Sequence, residues 1–113
     1  MYYYSLRIDA FTDDKIIAIN NILEVKSNFS PTAGWGLEVK EGESDAEFFF
    51  IDYFLSLLRG KYEKLEKIGV TRDSISIWML YEYEGQCNME FLPEDMYNLG
   101  KEGIVLCVSC WEK

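Results

Sequence analysis

The chain has 113 residues, the size of one domain, and its 49% apolar and 16% aromatic content supplies a core that needs neither disulfide nor metal. Twenty acidic side chains against eleven basic ones leave a formal net charge of −9, and there is no histidine. That balance repels nucleic acid and anionic membrane surfaces and attracts a cationic protein, while the missing histidine removes the commonest general base, pH switch and zinc ligand.

The opening MYYYSLRIDA has no basic segment followed by an apolar one, so it does not read as a signal peptide. No apolar run approaches the ~18–20 residues of a membrane span. Three cysteines without a secretory signal point to reduced thiols in a cytoplasm. From Tyr2 to Ala10 the chain alternates. Tyr4, Leu6, Ile8 and Ala10 take one face and Tyr3, Ser5, Arg7 and Asp9 the other, the pattern of a half-buried strand. Thr12 before Asp13 and Asp14 predicts a helix start, with Ile16, Ile17, Ile19, Ile22 and Leu23 carrying the helix. NFSPTAGWG, Asn28 to Gly36, reads as a loop, and Trp35, Leu37 and Val39 alternate as a second short strand.

Ser44-Asp-Ala-Glu47 has the form of a capping box that opens a helix to about Lys67. Ile51, Phe54, Leu55, Leu58, Tyr62 and Leu65 form one stripe along it, Gly60 is placed to kink or divide it, and Gly69 stops it. Ser74 to Tyr83 predicts a long strand with Ile75, Ile77, Met79, Tyr81 and Tyr83 on one face. Glu84-Gly85 signals a tight hairpin, with Cys87, Met89 and Phe91 on one face of the return strand. LPEDMYNLG reads as a short helix with Pro93 in its first turn and Gly100 as stop. Gly103 to Trp111 is the last strand, with Ile104, Leu106, Val108 and Cys110 facing one way. The order βαβαββαβ predicts an α+β domain over residues 1–113. It is a two-layer α/β sandwich, ferredoxin-like or related, with a mixed, mostly antiparallel sheet.

Cys107-Val-Ser-Cys110 has the spacing of a redox dithiol or half a zinc site. On a strand, residues three apart point to opposite faces, so the two cysteines cannot share an ion or a disulfide. Both read as free thiols. Glu38, Glu41, Glu43, Asp45 and Glu47 make an acid-rich stretch, yet it lacks the alternating ligands of a calcium loop and reads as a solvated connection with capping acids. No nucleotide-binding glycine loop or nucleophile motif is present. The sequence thus predicts no catalytic, cofactor or metal residues.

The aromatics carry the functional expectation. With helices on the Leu6, Ile8, Ile75, Ile77, Leu106 and Val108 face, the opposite face offers Tyr3, Trp78, Leu80, Val105, Cys107 and Trp111. An RNA-binding sheet would need basic neighbours, and here Arg7 stands beside Asp9, Glu82 and Glu90. Tyr3, Trp78, Leu80, Glu82, Glu90 and Trp111 are the candidate interface, for a protein partner or a homodimer. Alternatively, the Asn28–Gly34 loop or the N-terminal tyrosines cover that face.

The order of features resembles a widespread group of small bacterial domains of unknown function. The resemblance rests on Pro31 and Trp35, the amphipathic helix, the hairpin, Leu92-Pro93 to Leu99-Gly100 and the final strand, and spans nearly the whole chain. In size, charge and composition the chain is also similar to small acidic immunity proteins of bacterial toxin systems, which implies a cytoplasmic inhibitor of a basic toxin and not an enzyme. Neither resemblance assigns a functional residue. The alternative is a small-molecule-binding or enzymatic sandwich using Glu82 and Glu90 with Tyr81 or Tyr83.

Overall fold

The computed structural model describes residues 1–40, 42 and 49–113. The capping box Ser44–Glu47 and most of the acid-rich stretch lie outside the described residues.

Four strands make one sheet in the order β2-β1-β3-β4. Strand β1 (Tyr2–Ile8) is antiparallel both to β2 (Trp35–Lys40) and to β3 (Ile75–Tyr83), whereas β4 (Val105–Glu112) runs parallel to β3. Helix α1 (Asp13–Leu23) follows β1, helices α2 (Phe50–Leu58) and α3 (Tyr62–Lys67) lie between β2 and β3, and α4 (Pro93–Glu102) precedes β4. The described helices pack on one face. Ile19, Phe54, Leu55, Leu58 and Leu65 are fully buried in one cluster with Leu6 and Ile77, with Leu106 packed against it. The predicted sides of β1 and β3 are the observed ones.

Two expectations need correction, and one left open is decided. The return strand after Glu84-Gly85 does not form: residues 86–92 take no regular structure, and the order is βαβααβαβ. Strand β3 has only two edges; β1 takes one and β4 takes the other. An uninterrupted V-L-C-V run outcompetes Q-C-N-M-E-F, half of whose side chains prefer water. Of the two outcomes expected at Gly60, a kink or a division, the helix divides, because Arg59 is extended and Gly60 adopts a left-handed φ of 79°. Gly100 does not stop α4, which runs on to Glu102. Gly103, at φ 71°, ends it, and the Ile104 amide donates back to the Leu99 carbonyl at 3.0 Å.

Smaller differences follow the same logic. Thr12 precedes α1 but its side chain makes no cap; its hydroxyl donates to the Asp14 carboxylate, holding that group below its ordinary range. Ile17 points to solvent, and Ile19 and Leu23 are the buried side chains of α1. Trp35 is fully buried because its polar edge is satisfied: the indole Nε1 donates to Asn20 Oδ1 at 2.8 Å.

The two outer edges of the sheet are treated differently. Along β2, Asn28 acts as a surrogate strand residue. Its backbone amide donates to the Gly36 carbonyl at 2.8 Å, its side-chain Nδ2 donates to the Glu38 carbonyl at 2.9 Å, and its Oδ1 accepts from the Glu38 amide at 2.8 Å. The Ser27 hydroxyl joins at Gly36, accepting from its amide at 3.0 Å. Strand β4 has β3 on one side and, among the described residues, no strand on the other.

Candidate functional site

The pairing register builds the helix-free face. Tyr3 stands opposite Leu80 and Lys40, Ser5 opposite Trp78 and Glu38, and Arg7 opposite Ser76 and Gly36. Across the parallel pair, Trp78 neighbours Cys107, Leu80 neighbours Ser109, and Glu82 neighbours Trp111. Five of the six candidate residues, Tyr3, Trp78, Leu80, Glu82 and Trp111, are thus on one face.

Arg7 organises one end of that face. Its guanidinium lies 4.3 Å from the Trp78 ring centroid and 5.5 Å from that of Phe29. Its Nε donates to Ser5 Oγ at 3.1 Å, which explains why Ser5 is fully buried on the side without helices. Burial pulls the Arg7 guanidinium below its ordinary value, against the Glu38 carboxylate, which favours the charge. Phe29 lies over Gly36, where any Cβ would collide with its ring. The Asn28–Gly34 loop therefore covers the β2 end of the face through one side chain.

The β4 end is open. Val105 is 52% exposed and Trp111 37% exposed, and Trp78, Leu80 and Glu82 are half-buried. The indole Nε1 of Trp111 donates to Glu82 Oε2 at 3.3 Å, which fixes an aromatic plane beside a carboxylate. Such a pair presents an apolar surface with a negative rim, suited to an apolar-and-cationic partner surface.

Glu90 is not on this face. With Tyr2, Tyr4, Phe50 and Met79 it lines an open groove of about 770 Å³ on the helix side of the sheet, walled by Asn88, Met89 and Phe91. Tyr2 stacks on Tyr81 with centroids 4.1 Å apart, and Tyr4 stacks on Phe50 at 4.6 Å. Burial, with Tyr81 beside it, pushes the Tyr2 hydroxyl up to about 12. Glu82 and Glu90 are separated by the sheet, and Tyr81 and Tyr83 share the helix side with Glu90, not with Glu82.

Two further groupings were not read from the sequence. At the α3–α4 contact, Glu102 accepts from Arg59 Nε at 2.9 Å and from the Tyr62 hydroxyl at 2.8 Å, while Arg72 Nη1 donates to the Glu102 carbonyl at 2.8 Å. Burial, then the bond to Glu102, raises the Tyr62 hydroxyl well above its ordinary value. This network ties α3, α4 and the turn before β3 together, and Arg59, Tyr62 and Glu102 also line an open groove of about 500 Å³ with Asp52, Glu94 and Lys101. The second grouping is a thiol pair. Cys107 and Cys110 do face opposite sides of β4, as alternation requires, but Cys110 meets Cys87, with the two Sγ atoms 3.9 Å apart. All three cysteines are free. No sequence spacing announces this pair, because the crossover through α4 creates it.

Among the described residues no group of three or more Cys, Asp or Glu side chains is placed to hold a metal ion, and no helix is long and apolar enough to cross a membrane. No family model, curated protein or solved structure matches the chain.

Proposed function

We propose that the protein is a non-enzymatic binding domain for a basic protein, in concrete form an immunity-type inhibitor of a basic bacterial toxin, and that the partner docks on the helix-free face of the sheet. The observation that carries this reading is the open β4 side of that face, where Val105 is exposed beside Ser76 and Trp111 is exposed beside Glu82. A solvated sheet face normally alternates to polar residues, so a row of Trp, Leu and Val there marks a contact surface. The −9 charge adds long-range attraction for a cationic partner. Affinity capture from the native host, including products of neighbouring genes, is expected to retain a basic protein whose binding weakens with salt. The double variant Trp111→Ala, Glu82→Lys is expected to lose it. Recovery of a small molecule alone, or of a protein that the double variant retains equally, overturns the reading.

A second copy of the chain is the other partner with support. The outer edge of β4 carries no charge from Val105 to Trp111, and an unpaired edge of that length and apolarity is a template for strand addition. An antiparallel self-pairing centred on Val108 sets Val108 against its own copy and Val105 against Trp111. Those are the three exposed large hydrophobics of the strand. The strand order with its parallel β3–β4 pair is read as a relative of the ferredoxin-like plan and not as that plan itself. The small-molecule alternative draws on the groove beside Tyr2, Tyr4 and Glu90. Its support is one carboxylate among stacked rings, which suits a flat cation more than acid–base chemistry.

A further inference from the structure

We infer that Cys87 and Cys110 form a redox-active dithiol, oxidised to an intramolecular disulfide by a low-molecular-weight disulfide such as oxidised glutathione. The geometry is specific. The two Sγ atoms are 3.9 Å apart, close to van der Waals contact, and a disulfide needs ~2.0 Å. The remaining approach falls on a segment able to make it, because residues 86–92 form no helix or strand and follow Gly85, whose φ is 78°. Cys110 sits on a paired strand and supplies the fixed half of the pair. Cys107 is the built-in control: it lies on the opposite face of the same strand and has no thiol beside it.

The roles of the two thiols follow from their surroundings. Cys110 is exposed, so the oxidant meets it first. Cys87 is half-buried, and burial together with the neighbouring Cys110 raises its thiol pKa, which suits the resolving role over the attacking one. The Cys110 thiolate attacks one sulfur of the oxidant, forms a mixed disulfide and releases the first small thiolate. Cys87 then loses its proton, and its sulfur attacks the Cys110 sulfur and expels the second small thiolate. In sum, two protein thiols lose two electrons and two protons, and one small disulfide becomes two small thiols.

The bond would do more than join two sulfurs. Asn88, Met89, Glu90 and Phe91 follow Cys87 directly and wall the groove beside Tyr2 and Tyr4. Oxidation ties that wall to β4 and closes a covalent loop that contains all of α4. The wall is mobile in its exchange behaviour when reduced and held when oxidised. The inference does not depend on which partner the sheet face binds.

The test uses the full chain at graded ratios of reduced to oxidised glutathione. Wild type and Cys107→Ser are expected to lose about 2 Da per chain without forming disulfide-linked dimers, with peptide mapping that links Cys87 to Cys110. Cys87→Ser and Cys110→Ser are expected to stop at a glutathione adduct. Amide exchange over Asn88–Phe91 is expected to slow ~10-fold or more on oxidation of wild type, and not in either single variant. Glutathione adducts on wild type without the internal bond, a Cys107–Cys110 link, or a disulfide between chains would each overturn the inference.

Discussion

Gly36→Ala tests whether Phe29 truly closes the β2 end of the candidate face. A Cβ at Gly36 would stand 2.2 Å from Phe29 Cδ2 and 2.4 Å from both Cε2 and Cγ, where ordinary contact begins at 3.4 Å. The ring must therefore retreat by more than an ångström. Full burial of a Phe is worth ~1.5–3 kcal/mol, so losing the half-buried ring costs ~1 kcal/mol. Loss of its contact with Arg7 adds ~0.5–1 kcal/mol, and disturbance of the adjacent Asn28 bonds to Glu38 adds ~0.5–1 kcal/mol more. Replacing a strand glycine by alanine returns ~0.5–1 kcal/mol. The expected net destabilisation is ~1–2.5 kcal/mol by urea unfolding, with an unchanged slope. In a Phe29→Ala background the clash is gone, and Gly36→Ala is expected to be neutral or stabilising by up to ~1 kcal/mol. If Gly36→Ala costs the same in both backgrounds, within ~0.5 kcal/mol, Phe29 does not sit over Gly36 and this account of the face fails.

Leu58→Ala, at a fully buried site in the core, is expected to cost ~2–5 kcal/mol, and a loss below ~0.5 kcal/mol would mean the core side of α2 is misassigned. Alkaline stability should fall as pH rises above the ordinary tyrosine value of 10.0, because the raised folded-state pKa values of Tyr62 and Tyr2 keep protons that the unfolded chain releases there. Tyr62→Phe is expected to flatten that decline, and an identical slope in the variant would remove Tyr62 as its source. Light scattering across concentration is expected to approach the mass of two chains for wild type and one chain for Val108→Lys, with equal circular dichroism; a wild type that stays monomeric throughout eliminates the second-copy reading. In monomer, acrylamide is expected to quench Trp111 most and the fully buried Trp35 least, as single-Trp variants would show; equal quenching of the two contradicts the burial described above.

What the sequence makes legible is whatever one element decides alone. Alternation in β1 and β3 depends on side chains two apart, so the sides of Tyr3, Leu6, Ile77 and Trp78 read directly. The same rule separates Cys107 from Cys110. What two elements decide together is not legible. The Cys87, Met89 and Phe91 alternation is a sound strand pattern, but it competes for an edge of β3 that Leu106 and Val108 fill better. Glu90 inherits that error and ends up across the sheet from Glu82. Gly60 reads from the sequence as a kink or a division, and the fold selects division; Gly100 reads as a stop, yet α4 continues through it to Glu102. Asn28 is the least legible of all, since a side-chain amide standing in for backbone leaves no periodic trace.

The unequal edges limit how many molecules any assembly can hold. A strand that adds to a sheet consumes one edge, and the sheet keeps growing only if the newcomer offers another. Here Ser27 and Asn28 occupy the β2 side at Gly36 and Glu38, so among the described residues the vacancy lies at β4. Two copies meeting there satisfy each other and close, as a two-fold pair must; head-to-tail fibres have no second site to propagate from. One amide side chain outside the core would thus act as a chain terminator for polymerisation.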